Sequence, residues 1–209
     1  MIISIAHTKG GVGKSTIATN LAVCFSKDSE VLLVDTDKQA SSMLWKYKRT
    51  QIIKEEEDKI RTIQLLFPTL HKDLKEFSFQ NIIIDTGGKD NSVLRSSILA
   101  SDMVIIPILP SQIDLWANED IINILNNAKS YKKFSIFYLL NQVVKSSNIG
   151  QETLFLLNQE QNIKLLKSQL TSRIAYKIAY SQGLGVIEYN KKDVKEEMSN
   201  LYKEIKSWI

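Results

Sequence analysis

The sequence predicts a single α/β domain with a mostly parallel, twisted sheet covered by helices on both faces. Continuous apolar runs of β-forming residues indicate strands, and they lie within 2–7, 31–35, 81–88, 103–109 and 134–141. Continuous rather than alternating runs are typical of strands that are buried on both faces. Helix-like stretches separate these runs, which indicates right-handed βαβ crossovers and a parallel sheet. We assign the whole chain, 1–209, to this one domain, and we expect no helix-turn-helix extension before the first strand.

The composition is that of an ordinary globular protein. The chain has 209 residues, of which 44% are hydrophobic and 24% charged, enough for one sizeable core. No apolar run approaches the ~20 residues that span a bilayer, and the N-terminus lacks the features of a signal peptide. We therefore expect a cytoplasmic protein. The lone Cys24 is expected to be a core thiol, and the net charge of +4 weakly favours anionic partners.

A glycine-rich stretch, KGGVGKST at 9–16, follows the first predicted strand and precedes an amphipathic helix. Small residues leave backbone N–H groups free to point at phosphates, and a helix N-terminus behind them favours negative charge. Lys14 is placed to reach the β- and γ-phosphates, and the Ser15 hydroxyl is suited to bind Mg²⁺. The sequence therefore predicts a phosphate-binding loop made of Gly10, Gly11, Val12, Gly13, Lys14, Ser15 and Thr16.

Three acids end two of the predicted strands. Asp35 and Asp37 follow the run VLLV, and Asp85 follows III. Carboxylates beside bound phosphates are repelled unless Mg²⁺ or a water proton lies between them, so these acids fit metal-linked or water-handling roles. Asp37 also fits the cap of a following helix. Gly88, three residues beyond Asp85, fits either a γ-phosphate-sensing N–H or a plain tight turn.

The spelling K-G-G-x-G-K-[ST]-[ST] resembles the deviant Walker A motif of the ParA/MinD family of ATPases. The resemblance implies that ATP and Mg²⁺ are the cofactors and that ATP binding forms a homodimer. It implies that Lys9 crosses the dimer interface to the phosphates of the facing subunit; a solvated loop lysine is the alternative. It also implies that Asp37 orients or activates the attacking water, while Asp35 and Asp85 support the Mg²⁺ shell. Lys38 stands where the family's D-x-D-P-Q element has proline.

Later segments resemble the family less specifically, and the resemblance covers nearly the whole chain. The segment PILPSQID, at 107–114, resembles a loop that lies near the nucleotide and the dimer interface. Asn141 resembles the residue that reads adenine, for which its amide offers both a donor and an acceptor; a turn residue that caps the strand is the alternative.

Within the family, the chain resembles the short plasmid-partition ParA type. That type implies non-specific DNA binding by the ATP-bound dimer, a centromere-binding ParB-like partner that stimulates hydrolysis, and association with the nucleoid. Cations near the C-terminus are suited to contact DNA phosphates, and we assign this role to Arg173, Lys177, Lys191, Lys192 and Lys195. A small-molecule kinase that shares the phosphate loop is the alternative outside the family.

The C-terminal segment bears on a second reading, that of a MinD-like membrane-cycling ATPase or a positioner of protein cargo. Its apolar residues recur at helical spacing, at Val194, Met198, Leu201, Ile205 and Trp208. The polar face mixes Glu and Lys, whereas membrane-surface helices are rich in Lys and Arg. We therefore expect this helix to pack on the domain, with no stable membrane association. The charged stretch 46–61 is expected to be an exposed helix or loop.

Overall fold

The computed structural model describes residues 1–110, 115–144 and 163–208. Its strands form one seven-stranded sheet in the order β3-β2-β4-β1-β5-β6-β7, and every neighbouring pair is parallel. The strands are β1 Ile2–Ile5, β2 Val31–Asp35, β3 Ile60–Gln64, β4 Asn81–Asp85, β5 Met103–Ile108, β6 Ser135–Val143 and β7 Lys164–Thr171. The helices are α1 Lys14–Phe25, α2 Ser41–Arg49, α3 Leu70–Asp73, α4 Ser92–Ala100, α5 Leu115–Lys129, α6 Ile174–Ser181 and α7 Lys192–Lys206.

The central strands are buried on both faces, as their continuous apolar sequences predict. In β2 and β4 every residue is buried, and successive side chains enter cores on opposite faces of the sheet. Leu33 and Ile83 join the core beneath α1, α2, α6 and α7. Leu32 and Ile82 pack on the other face, against α3 and the end of α4. The predicted α/β fold with a parallel sheet covered on both faces is therefore confirmed.

The two edge strands, β3 and β7, are not among the predicted strands. β3 has the sequence IRTIQ and β7 the sequence KLLKSQLT, and each is only partly buried. Polar and charged residues on edge strands prevent unwanted pairing with other chains. The same residues interrupt the apolar run by which a strand is recognised in a sequence.

The stretch 46–61, predicted to be an exposed helix or loop, contains a buried ion pair, so the prediction of exposure is wrong for those two residues. This stretch contains the end of α2, a turn and the start of β3, and Arg49 and Asp58 within it are each only 4% exposed. Arg49 Nε donates to both oxygens of Asp58 at 3.0 Å, and its two terminal nitrogens donate to Glu188 at 2.8 and 2.9 Å. Lys46 Nζ adds a bond to Asp58 at 2.7 Å. A buried ionic cluster therefore joins α2 to the turn before β3 and to the segment before α7.

The prediction that the C-terminal helix packs on the domain is confirmed. Its apolar residues Val194, Met198, Leu201 and Ile205 are buried in the core shared with α1 and β7. Trp208, just beyond the helix, is 48% exposed and lies 5.2 Å from the Phe137 ring between centroids. Among the described residues, no helix combines the length and the hydropathy needed to cross a membrane. Cys24 is a buried core thiol, as expected, and burial raises its pKa to about 12.

Candidate nucleotide-binding site

A large cleft lies at the carboxyl ends of β1, β2 and β4. The strand order places the glycine-rich loop, which follows β1, beside the acid-bearing strand β4, with the other acid-bearing strand, β2, on the far side of β4. Ligands of open parallel sheets bind at this edge. The cleft has a volume of about 870 Å³. Its lining includes most of the predicted phosphate loop, the acid-bearing turn after β2 and the turn after β4, which here means Gly10, Gly11, Gly13, Lys14, Ser15, Thr16, Asp37, Gly87 and Gly88.

The loop needs glycine at two positions for backbone reasons. Gly11 and Gly13 have φ angles of 76° and 91°, which other residues rarely adopt. A Cβ atom on Gly13 would also lie 2.3 Å from Asn141 Nδ2. Helix α1 begins at Lys14, and no side chain caps its N-terminus. Its first N–H groups are therefore available to an anion such as a phosphate.

The two lysines of the loop have different environments. Lys14 is 7% exposed, and its Nζ donates to the Lys9 carbonyl at 2.8 Å. Burial lowers the pKa of Lys14, while Asp85 and Asp37 oppose that shift. Lys9 is half-buried and its N–H donates to His7 Nδ1 at 3.0 Å, but its ammonium has no partner among the described residues. Lys14 thus belongs to the loop interior, whereas the Lys9 side chain remains available.

Asp35 holds the beginning of α2. Its Oδ1 accepts the N–H of Asp37 at 3.0 Å, and its Oδ2 accepts the N–H groups of Ser42 and Met43 at 2.8 and 3.2 Å. Burial raises the pKa of Asp35, while these backbone donors oppose the shift. Because three N–H groups already occupy its oxygens, the structure gives Asp35 an anchoring role. Its part in the Mg²⁺ shell stays a prediction.

Asp85 is the acid whose bonding is incomplete. It is fully buried, and its Oδ2 accepts the Ser42 hydroxyl at 2.7 Å. Its Oδ1 is buried with no hydrogen-bond partner of acceptable geometry in the described part of the chain. Burial raises the pKa of Asp85 to about 7, the Asp35 charge adds to that shift, and Ser15, Ser42 and Lys14 oppose it.

These residues fit a magnesium ion. Hard oxygen donors are the ligands that Mg²⁺ prefers, and the ion usually keeps several waters beside one or two carboxylates and the phosphates of its nucleotide. The unpaired Oδ1 of Asp85 supplies such a donor, directly or through water, and the Ser15 hydroxyl supplies a second. A bound cation would also favour the ionised form of Asp85.

Asp37 lies directly beside the turn after β4 in the lining of the cleft. A Cβ on Gly87 would lie 3.7 Å from Asp37 Cγ, and one on Gly88 would lie 3.3 Å from the Gly10 nitrogen and 3.4 Å from Lys14 Nζ. The turn is therefore packed directly against the phosphate loop, as a γ-phosphate sensor requires. The alternative that Asp37 caps α2 is wrong, because the residue before that helix is Ala40.

The end of β6 holds the loop from the other side. Asn141 Nδ2 donates to the Val12 carbonyl at 2.8 Å, and Gln142 Nε2 donates to the Gly11 carbonyl at 3.1 Å. The strand continues to Val143, so the alternative that Asn141 caps its end is wrong. A smaller cavity of about 110 Å³ adjoins Asn141 and Arg173. Adenine recognition by Asn141 stays a prediction.

The structure gathers the predicted DNA-contacting residues at the starts of α6 and α7. Arg173 precedes α6 and lies 3.7 Å from Asp193 of α7. Lys177, one turn further along α6, lines the nucleotide cleft. Nearby acids reduce the net positive charge of this region, since Lys192 also lies 3.9 Å from Glu196. Residues 111–114 of the segment expected near the nucleotide and the dimer interface lie outside the described residues.

The residues of the site that the sequence-based set lacks include Ser42, Gln142 and Tyr180. Ser42 contacts two acids, Gln142 contacts the loop, and Tyr180 donates its hydroxyl to the Ser41 carbonyl at 2.8 Å beside the cleft. Gln142 directly follows Asn141, which is a usable signal. Ser42 and Tyr180 belong to no motif, and only the packing of α2 and α6 brings them to the site.

The fold and the cleft define a P-loop nucleoside triphosphatase. The sequence model of the CobQ/CobB/MinD/ParA nucleotide binding domain matches residues 3–200, and the chain belongs to this family. The ParA/MinD proteins of this family are ATPases that use ATP and Mg²⁺, typically dimerise on ATP and have partner proteins. The expected cofactors, ATP and Mg²⁺, are therefore confirmed at the level of the family.

Known proteins similar to this chain have several different names. Maintenance of carboxysome distribution protein A from Gloeobacter kilaueensis is 27% identical over 202 residues, covering 93% of this chain and 88% of that protein. The crystal structure of a plasmid partition protein from Borrelia burgdorferi bound to AMPPNP has a TM-score of 0.76 at 24% identity, covering 100% and 99% of the chains. The septum site-determining protein MinD from Pyrococcus horikoshii, complexed with Mg-ADP, has a TM-score of 0.73 at 18% identity, covering 98% and 95%.

Proposed function

We propose that this chain is a DNA-partition ATPase that dimerises when it binds ATP and binds DNA without sequence preference as that dimer. The observation that carries the proposal is the contrast between its two loop lysines. Lys14 is buried in the loop, whereas the Lys9 ammonium, one residue before the cleft-lining Gly10, has no partner in the described part of the chain. A cation supplied across a subunit interface stabilises the charge that develops during phosphoryl transfer.

The residues of the cleft divide the chemistry between them. The loop N–H groups and Lys14 hold the phosphates, and Ser15 and Asp85 hold Mg²⁺, which neutralises phosphate charge when bound. Asp37 lines the cleft beside Gly87 and orients the attacking water. Positioning and electrostatic stabilisation account for most of the catalysis of phosphoryl transfer. Hydrolysis is slow in the isolated protein and is stimulated by a centromere-binding, ParB-like partner, after which the dimer separates and leaves the DNA.

The cations around α6 and α7 support the DNA-binding part of the proposal. Lys191 and Lys192 are exposed, and Lys195 is half-exposed on the first turn of α7. Because Lys177 also lines the nucleotide cleft, the basic end of α6 lies beside the bound nucleotide. Closing two subunits around ATP would bring two such groups together, and DNA affinity rises steeply with the number of phosphates neutralised.

The test is DNA binding by the purified protein with ATP, with ADP and without nucleotide, at several salt concentrations. We expect the protein to bind DNA in ATP but not in ADP or without nucleotide. Its affinity for DNA should fall steeply as the salt concentration rises. Lys14→Ala should abolish both nucleotide binding and DNA binding. Lys9→Ala should keep nucleotide binding by the monomer and lose the dimer, which light scattering measures. The matched control is Lys75→Ala, an exposed lysine next to α3. Equal DNA binding in ATP and ADP would contradict the proposal.

A second candidate function is the positioning of a protein cargo by the same ATP cycle. The relative named for the distribution of carboxysomes favours it. Membrane cycling has less support, because the apolar face of α7 is buried in the core. Deletion of the gene separates the candidates: loss of a plasmid or other replicon from dividing cells supports DNA cargo. Stable inheritance together with clustering of a protein assembly supports protein cargo.

A further inference from the structure

Ser42, on the first turn of α2, directs both of its hydrogen-bond donors at acids of the site. Its N–H donates to Asp35 Oδ2 at 2.8 Å, and its hydroxyl donates to Asp85 Oδ2 at 2.7 Å. All three residues are fully buried. Hydrogen bonds to ionised groups are shorter and stronger than neutral ones, and in a buried site they fix the orientation of the acceptor. Ser42 therefore determines how the Asp85 carboxylate is turned.

The Ser42 bond leaves one oxygen of Asp85 for another ligand. With Oδ2 engaged, Oδ1 is the buried oxygen that lacks a partner of acceptable geometry among the residues described. An unpaired buried carboxylate oxygen is costly unless a cation or a water completes its bonding. The same oxygen is the one that the proposed magnesium role of Asp85 requires.

We propose that Ser42 is a positioning residue for metal binding: its hydroxyl holds Asp85 Oδ2 and thereby presents Asp85 Oδ1 to the magnesium site that includes Ser15. The inference rests on the proposed metal roles of Asp85 and Ser15. Groups that hold a metal-binding carboxylate in place typically change metal affinity by about 10- to 100-fold when they are removed. Ser42 adds such a group, and it comes from a helix outside the phosphate loop.

The hydroxyl of Ser42 is separable from the packing of α2. The N–H bonds from Ser42 and Met43 to Asp35 are backbone bonds and persist in an alanine variant. The Tyr180 hydroxyl independently holds the Ser41 carbonyl at 2.8 Å. Ser42→Ala therefore removes one hydrogen bond to Asp85 and leaves the anchors of the helix in place.

The experiment measures Mn²⁺ binding to the full chain in complex with ADP, by electron paramagnetic resonance of the free ion. We expect Ser42→Ala to weaken Mn²⁺ binding about tenfold while ADP affinity in EDTA is unchanged. The matched control is Ser97→Ala, since Ser97 is also buried on a helix but its hydroxyl donates to the Val93 carbonyl of its own helix at 2.9 Å. Thermal unfolding of both apo variants verifies that they fold.

Asp85→Asn, alone and combined with Ser42→Ala, distinguishes the possible outcomes. If Ser42 acts through Asp85, Ser42→Ala should cause no further loss of Mn²⁺ affinity in the Asp85→Asn background. Wild-type Mn²⁺ affinity in Ser42→Ala, or losses that add fully in the double variant, would overturn the inference and leave the metal role of Asp85 standing. Wild-type Mn²⁺ affinity in Asp85→Asn would instead overturn the magnesium assignment on which the inference rests.

Discussion

The molecule buries two clusters of charged side chains, one around Arg49 and one around Asp85. They differ in whether partners within the chain satisfy the hydrogen bonding of the buried charges. Arg49 makes five hydrogen-bond contacts, to Asp58, Glu188 and the Gly183 carbonyl, so each nitrogen of its guanidinium meets an opposite charge or a carbonyl dipole. Around Asp85, two carboxylates lie near one lysine and a buried oxygen lacks a partner of acceptable geometry in the described residues.

The difference separates a structural cluster from a functional one. Buried ions are tolerated when paired and hydrogen-bonded, and the Arg49 cluster meets that condition within the chain. The Asp85 cluster meets it only with a ligand, because its excess negative charge and its open oxygen call for a cation. A cluster that the chain completes by itself stabilises the fold, whereas one left open binds something else.

The largest expected effect is a loss of stability when the Arg49 cluster loses its arginine. Arg49→Ala leaves Asp58 buried beside Lys46 alone, and breaking a buried pair in this way costs about 3–5 kcal/mol of stability. Denaturant unfolding measures the loss. The control is Arg61→Ala, whose ion pair with Glu55 is exposed at 47% and 81% and should contribute less than about 1 kcal/mol. Equal losses in the two variants would remove the distinction between the clusters.

The next effect concerns rate rather than stability. Asp37 is half-buried and lines the cleft near Asp85, and in the proposed function it orients the attacking water. We expect Asp37→Ala to slow ATP hydrolysis about 100-fold or more, with ATP affinity and melting temperature retained and an ATP-bound dimer accumulating. Single-turnover hydrolysis and light scattering measure these properties, with exposed Glu76→Ala as the control. An unaltered hydrolysis rate would exclude the water-orienting role.

The smallest effect is a difference in pH dependence between the clusters. Burial raises the pKa of Asp85 to about 7, so the apo native state holds a proton that the unfolded state releases near its ordinary pKa. The native state then binds more protons than the unfolded state, and stability falls as pH rises. Between pH 5 and 7 the loss is roughly 2 kcal/mol at 1.36 kcal/mol per pH unit.

The Arg49 cluster changes stability with pH in the opposite direction. Burial alone raises the pKa of Asp58, but Lys46 and Arg49 outweigh it and hold that pKa below its ordinary value. Its stabilisation is therefore present above the unfolded pKa and is lost only as pH falls through the lower native one. Thermal unfolding of the apo protein at several pH values tests both statements. Asp85→Asn should flatten the slope between pH 5 and 7, and an unchanged slope would show that another group causes it.

The sequence predicts the parts of the site that depend on the backbone. The positive φ angles of Gly11 and Gly13 permit no ordinary alternative residue, so the loop is visible as a contiguous motif. Asp35 and Asp85 are likewise marked by the buried strands that they end. The residues next to them in the sequence therefore suffice to predict where these residues lie.

The remaining residues are fixed by tertiary packing and leave little local signal. Arg49 and Glu188 are 139 positions apart, and the charges around Arg49 resemble a solvated surface when read along the chain. Ser42 is an ordinary serine until α2 is docked over Asp85. The sequence does not predict the edge strands β3 and β7 for another reason. Their polar residues prevent pairing with other chains and also interrupt the apolar pattern by which a strand is recognised.

The central place of β1 in the sheet has a consequence for the order of events during synthesis. Ile2 pairs with Ile82, and Ile3 with Met103, so β1 is synthesised well before the two strands that flank it. Contacts between residues so distant in sequence form slowly. The phosphate loop follows β1 directly, so it has no rigid support until residues beyond 100 have emerged. We therefore expect a nascent chain to bind nucleotide weakly until both β4 and β5 have been made.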